Sequence, residues 1–190
     1  MAALAHQGGP LSEPRSCPGC ARGGPFSFVE PWHDRIGGGD YSVWSCAGCG
    51  LVFSEPRVPP PADWYAKAAP LRAKEERPLP ETDWRFRQFL GEGLAPGRIL
   101  DVGCGDGGFL GLAKFAGWSG VGVDYDERVI ARAKERGLDA HADDLVRFLK
   151  QQMPGEFDAA VLFDVLEHTP EPAELLGAVA PLLKKGGIWP

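Results

Sequence analysis

Two cysteine pairs, Cys17-Pro-Gly-Cys20 and Cys46-Ala-Gly-Cys49, constrain this chain more than any other feature of it. Each pair can present two thiolates from one tight turn, and Gly19 and Gly48 suit the backbone there. Twenty-five residues, 21–45, separate the pairs. Four sulfurs complete the tetrahedral shell that structural Zn²⁺ takes. Cys17, Cys20, Cys46 and Cys49 are therefore expected to hold a metal, with zinc favoured over a rubredoxin-like iron or a redox dithiol. Between the pairs, FSFVEPWHDRIGGGDYSVW has aromatic and β-branched runs around a glycine turn, and Gly50-Leu51-Val52-Phe53 carries the second pair into another short strand. His33 reads as a surface histidine, since four cysteines already close the shell.

Residues 16–56 thus resemble a zinc ribbon. Its role is open between a staple for a segment too small to own a core and an element of substrate recognition. Residues 1–15 read as a disordered lead-in and 57–81, rich in proline, as a stiff linker. From 82 to 190 the pattern changes to alternating strands and helices, predicting an α/β domain with a parallel, doubly wound sheet. Strands are expected over 98–102, 121–124, 139–142 and 159–163, with another beginning at Ile188 and Trp189. Helices are expected after Gly108 and over 127–136, 145–152 and 171–184. Ahead of them, DWRFRQFL at 83–90 suits a helix capped by Thr82 or Asp83, whose aromatic face either packs on the sheet or covers a ligand pocket.

The first strand of this domain runs into a glycine turn, ILDVGCGDGG at 99–108, in which Gly103, Gly105 and Gly108 satisfy GxGxxG. A dinucleotide site would seat a diphosphate on the following helix N-terminus. Asp101 before the turn and Asp106 within it would both set negative charge beside that diphosphate. S-adenosylmethionine carries no phosphate, and its α-ammonium is a partner for Asp101, directly or through water. Asp124 ends the next strand 23 residues after Asp101. A carboxylate there can accept both ribose hydroxyls, a role common to NAD and S-adenosylmethionine sites.

The motifs DVGCGDG, GVGVD, HADD and FDAAVLFDVLEH, in that order across 98–189, resemble those of class I S-adenosylmethionine-dependent methyltransferases. That resemblance implies that Asp101 with the glycine turn (Gly103, Gly105, Gly107) holds the methionine part and Asp124 the ribose. It places Tyr125 against the adenine ring and Asp143 at the adenine amino group, with Phe163 and Asp164 flooring the pocket. Cys104 is read as a small core-side filler. Glu167 and His168 follow the fourth strand; His168 could serve as a base for a hydroxyl or carbon-acid acceptor, or the pair could shape the loop before Pro170. The ribbon resembles that of bacterial methyltransferases acting on sugars, glycans or small metabolites, which implies a small-molecule or sugar-like acceptor. Members of the class continue past the fifth strand, so a chain ending at Pro190 is expected to be a fragment with an uncovered sheet edge.

Charge bears on the rival functions. The net charge is −6; the first 80 residues carry eight basic and eight acidic side chains, the remainder twelve and eighteen. Neither half shows the basic footprint of a nucleic-acid binder, which disfavours an RNA methyltransferase that grips RNA through the ribbon. Two further rivals are an NAD-dependent oxidoreductase or epimerase and a non-catalytic zinc-ribbon adaptor. No apolar run reaches membrane-spanning length, and the N-terminus has neither the basic start nor the apolar stretch of a signal peptide, so a cytoplasmic location without membrane contact is expected.

Overall fold

A computed structural model describes residues 12–36, 38–58, 64, 67 and 83–188. The chain divides into two compact units. One comprises Met1–Lys74 with Glu167–Ala173; the other comprises Glu75–Leu166 with Glu174–Pro190.

In the first unit, strands β1 (Phe26–His33), β2 (Asp40–Cys46) and β3 (Val52–Glu55) form an antiparallel sheet in that order. A bulge between Phe28 and Glu30 shifts the β1 register. Its apolar interior is slight. Trp44 is buried, with Phe28 edge-on to it at 5.5 Å, and Phe26 meets Phe53 at 5.8 Å. A sheet with so little to bury needs another source of stability.

The second unit is built on five parallel strands: β4 (Arg98–Val102), β5 (Ser119–Asp124), β6 (Asp139–Ala142), β7 (Phe157–Val161) and β8 (Leu183–Ile188). Their spatial order is β6-β5-β4-β7-β8, so the chain reverses direction of growth between β4 and β7. Helices α1 (Trp84–Gly91), α2 (Gly108–Phe115) and α3 (Glu127–Glu135) precede and follow β4 and β5, while α4 (Leu145–Leu149) and α5 (Pro172–Val179) follow β6 and β7. Period-two alternation divides the core into two layers. Ile99, Ala159 and Val161 meet α1, α2 and α3; Leu100, Val102, Val121, Val123 and Ala160 meet α4 and α5. This is the α/β doubly wound sheet of the class I methyltransferase type, preceded by an antiparallel sheet carrying the cysteines.

Local chemistry explains the helix starts. Asp83 caps α1 by accepting from the Arg85 and Phe86 N–H groups, Asp126 caps α3, and Asp144 caps α4. Thr82, the second possible cap for α1, lies outside the described residues. Phe86 and Phe89 of α1 are buried, with Phe89 4.9 Å from Trp118 and 5.5 Å from Phe109, so this helix packs on the sheet.

Several boundaries differ from expectation, among them the start of β5 at Ser119 rather than 121. The helix expected over 127–136 ends at Glu135, and the one over 145–152 ends at Leu149. β7 runs over Phe157–Val161 rather than 159–163, because Phe157 is drawn into the core and pairs with Leu183. The helix expected over 171–184 stops at Val179. Pro181 has no N–H to continue it and forces a 3₁₀ turn over Ala180–Leu182, after which Leu183 is already extended. β8 therefore starts at Leu183, five residues before Ile188, and Trp189 lies outside the described residues. Among the described residues no helix is long and apolar enough to cross a membrane.

Candidate functional site

In open parallel sheets, ligands bind beyond the carboxyl ends of the strands where the strand order reverses, here the ends of β4 and β7. Asp101 stands at the end of β4 on the same face as Ile99. It is 3 % exposed, and among the described residues its Oδ2 has no hydrogen-bond donor. Burial pushes its carboxyl up to about 7; the Asp124 charge adds to this and the Arg85 guanidinium opposes it. An acid in this condition is poised to accept a cationic donor.

The turn that follows needs glycine. At Gly103 φ is 76°, and a Cβ would overlap the Val165 side chain; at Gly107, the N-cap of α2, φ is again 76° and a Cβ would overlap Leu138. Backbone N–H groups of Gly103 and Cys104 both donate to the Val123 carbonyl, at 2.8 and 3.1 Å, which ties the turn to the end of β5. Gly105 N–H donates to Asp124 Oδ2 and Asp126 N–H to Asp124 Oδ1, each at 3.0 Å. The Asp124 carboxylate is thereby oriented while each oxygen keeps a further lone pair. Asp106 within the turn has its carbonyl bonded by Arg136 Nη1 at 2.9 Å.

Around these groups the second unit gathers the other expected residues. Tyr125 is 56 % exposed beside Asp124. Asp143 follows β6, and its N–H donates to the Asp124 carbonyl at 3.0 Å. The Phe163 ring lies 5.1 Å from Phe109 and 5.7 Å from Trp84. Asp164 adopts a φ of 56°, a strained value for a residue other than glycine. Cys104 is buried, its thiol pushed upward by desolvation first and by the Asp101 and Asp124 charges, which removes it as a nucleophile.

Sequence reasoning missed Arg85. Its Nε and Nη2 bond Asp83 Oδ1 and Oδ2 at 3.1 and 2.7 Å. That pairing, with the Asp101 and Asp164 charges, raises the guanidinium further above its usual range and holds Asp83 below the usual carboxylate range. The one signal in the sequence is an acid two positions before an arginine at a helix start. Arg147 carries still less signal, since it looks like a solvated helix position.

Glu167 and His168 occupy a 3₁₀ turn, Leu166–His168. Both belong to the first unit, whereas the residues around Asp101 belong to the second. The His168 ring lies 5.4 Å from that of Trp64, whose Nε1 donates to Asp34 Oδ2 at 2.8 Å.

The four cysteine sulfurs of the first unit lie within 4.8 Å of one another, with Cys17–Cys49 at 3.6 Å and Cys20–Cys46 at 3.8 Å. Both turns share one backbone pattern. Cys17 N–H donates to the Arg22 carbonyl and accepts through its own carbonyl from Ala21; Cys46 does the same with Leu51 and Gly50. Tetrahedral bonds of about 2.3 Å to zinc require sulfur–sulfur edges of about 3.8 Å, so the donor set fits.

Residues 73–189 match a family model described as a methyltransferase domain. The ubiquinone biosynthesis O-methyltransferase of Dechloromonas aromatica is 42 % identical over 101 residues, covering 50 % of this chain and 43 % of its own length. That of Pseudomonas aeruginosa is 31 % identical over 123 residues, covering 61 % and 53 %. The chain spans about half the length of the curated relatives it matches. Among solved structures, a SAM dependent methyltransferase from Archaeoglobus fulgidus superposes with a TM-score of 0.54 at 27 % identity, covering 64 % of this chain and 53 % of its own.

Proposed function

Because the chain belongs to the methyltransferase-domain family, matched over 73–189, we propose that it binds S-adenosylmethionine at the carboxyl edge of the second unit's sheet and serves methyl transfer to a small-molecule or sugar-like acceptor. The observation that carries this is the buried Asp101 carboxylate with an oxygen lacking a donor, set beside a glycine turn. A diphosphate would be repelled there; an α-ammonium is the missing partner.

When bound, S-adenosylmethionine supplies a methyl carbon that an acceptor lone pair attacks in line, the sulfur leaving with the electron pair of the broken C–S bond. The chain's own residues bind and orient. Asp101 and the turn Gly103, Gly105 and Gly107 hold the amino-acid end, and Arg85 supplies the cation that its carboxylate needs. Asp124 accepts the ribose hydroxyls with the lone pairs that Gly105 and Asp126 leave unused. Tyr125 covers the adenine face, Asp143 takes the adenine amino group, and Phe163 and Asp164 floor the pocket. A hydroxyl acceptor would also need a base, for which Glu167 and His168, after the fourth strand, are the candidates offered by the sequence. The curated relatives are O-methyltransferases by name, which favours oxygen as the acceptor atom.

Zn²⁺ on Cys17, Cys20, Cys46 and Cys49 closes the first unit, within domain limits of 16–56 for the ribbon, 57–81 for the linker and 82–190 for the methyltransferase part. CxxC pairs used as metal ligands rather than as disulfides suit a reducing, cytoplasmic compartment.

Titration of the zinc-loaded chain with S-adenosylhomocysteine by calorimetry tests the reading. Saturable binding is expected, weakened at least tenfold by Asp124→Ala. A folded chain that binds no S-adenosylhomocysteine would overturn it.

A further inference from the structure

The Asp143 carboxylate is loaded unevenly. Arg147, one turn later on α4, directs both Nε, at 2.6 Å, and Nη2 to Oδ1, and the Asp144 N–H donates to the same oxygen at 2.7 Å. Oδ2 takes none of these bonds. A guanidinium fork ordinarily spans both oxygens of a carboxylate; here it closes on one. Arg147 is anchored in turn, its N–H donating to the α4 cap Asp144 at 2.9 Å. The carboxylate is only 19 % exposed, and its backbone is tied to the end of β5 through the Asp124 carbonyl. Three donors on Oδ1 fix the carboxyl plane and leave the lone pairs of Oδ2 for a ligand.

We infer that Arg147 is a positioning residue that presents Asp143 Oδ2 as a pure acceptor and so makes the site select a 6-aminopurine over a 6-oxopurine. The inference rests on the adenine role proposed for Asp143. An amino group donates to Oδ2, whereas an oxo group would set acceptor against acceptor, which a site of this kind rejects strongly. The Arg147 bond also holds the Asp143 acid below the usual carboxylate range, with the Asp144 N–H and the His141 charge assisting. His141 is itself paired with Asp139 at 2.9 Å.

The probes are S-adenosylhomocysteine and its inosine counterpart, titrated by calorimetry into the full zinc-loaded chain. The wild type is expected to prefer the adenosine form by at least tenfold. Arg147→Ala should shrink that preference several-fold, and Arg147→Lys should restore part of it, since lysine offers charge without the fork. As the pH is lowered, the preference of Arg147→Ala should fall away at a higher pH than that of the wild type, because the Asp143 carboxyl is no longer held down; support of the helix alone would not move that limb. Arg147→Ala with the wild-type preference and the wild-type pH profile overturns the inference. Asp143→Asn separates the two levels. If it retains the full preference, the adenine role fails and the inference with it; if it loses the preference while Arg147→Ala does not, only the role of Arg147 fails.

Discussion

Asp101 is held in an environment that disfavours its ionised form. A carboxyl whose folded value is raised from 3.8 to about 7 binds a proton on folding between those limits, so its contribution to stability is present below the lower value and is lost as pH rises through the upper. The ligand-free chain should accordingly be less stable at pH 8 than at pH 5. Asp101→Asn is expected to flatten that difference, gaining on the order of 1–3 kcal/mol at pH 8 in urea denaturation, while S-adenosylhomocysteine affinity falls more than tenfold. Equal urea midpoints for both proteins at pH 8 would refute this. On the proposed reading, Asp101 would hold its ligand at the expense of stability. The placement of Asp101 and Asp124 was legible in the sequence, because each lies at the carboxyl end of a strand next to the glycine turn. Arg85 and Arg147 were not, because their partners are acids two and four positions away on a helix start, a spacing that ordinary surface pairs share.

At the scale of elements, the packing of α2 on β5 depends on residues too small to leave a hydrophobic signal. Gly120 and Gly122 occupy the face of β5 opposite Val121 and Val123. A Cβ on Gly122 would stand 2.6 Å from Cys104 Sγ, and one on Gly120 would crowd Leu110 and Ile99. Gly122→Ala is expected to cost about 1–3 kcal/mol by overpacking, read as a lower urea midpoint. Cys104→Ala should recover part of the loss in the double variant, since the sulfur is the obstructing atom. Additive losses would show that the strain lies elsewhere. Strand β4 was readable residue for residue from its apolar run and the glycine turn after it. The end of α5 was not. The run from Ala173 to Leu183 keeps a helical apolar spacing, and only Pro181 records that the last residues pair with β7 instead.

The whole molecule joins two units that are stable for different reasons. The larger has two buried layers, with Phe89, Ile99, Leu100 and Phe157 at 1 % exposure or less. Among its described residues the smaller buries few large apolar side chains, Trp44 with Cys17 and Cys46, so a metal held on the four cysteines would supply folding free energy there. Chelation is expected to abolish amide-exchange protection in β2 while the amides of β4, β5 and β7 stay protected. Unchanged protection of β2 would mean that no metal holds the four sulfurs. This division was plain in the sequence, because paired cysteines and strand–helix alternation are separate signatures; the grouping of Glu167–Ala173 with the smaller unit was not, since it arises from packing between distant segments. The position of β4 in the middle of its sheet has a consequence during synthesis. Its partner on one side, β7, comes so much later that the bond from Arg98 N–H to Asp158 spans 60 residues. At about 5–20 residues per second a ribosome needs roughly 3–12 s to supply it. For that interval a strand with four of its five residues buried in the folded chain has one open edge, and whatever shields that edge bears on the yield of folded protein.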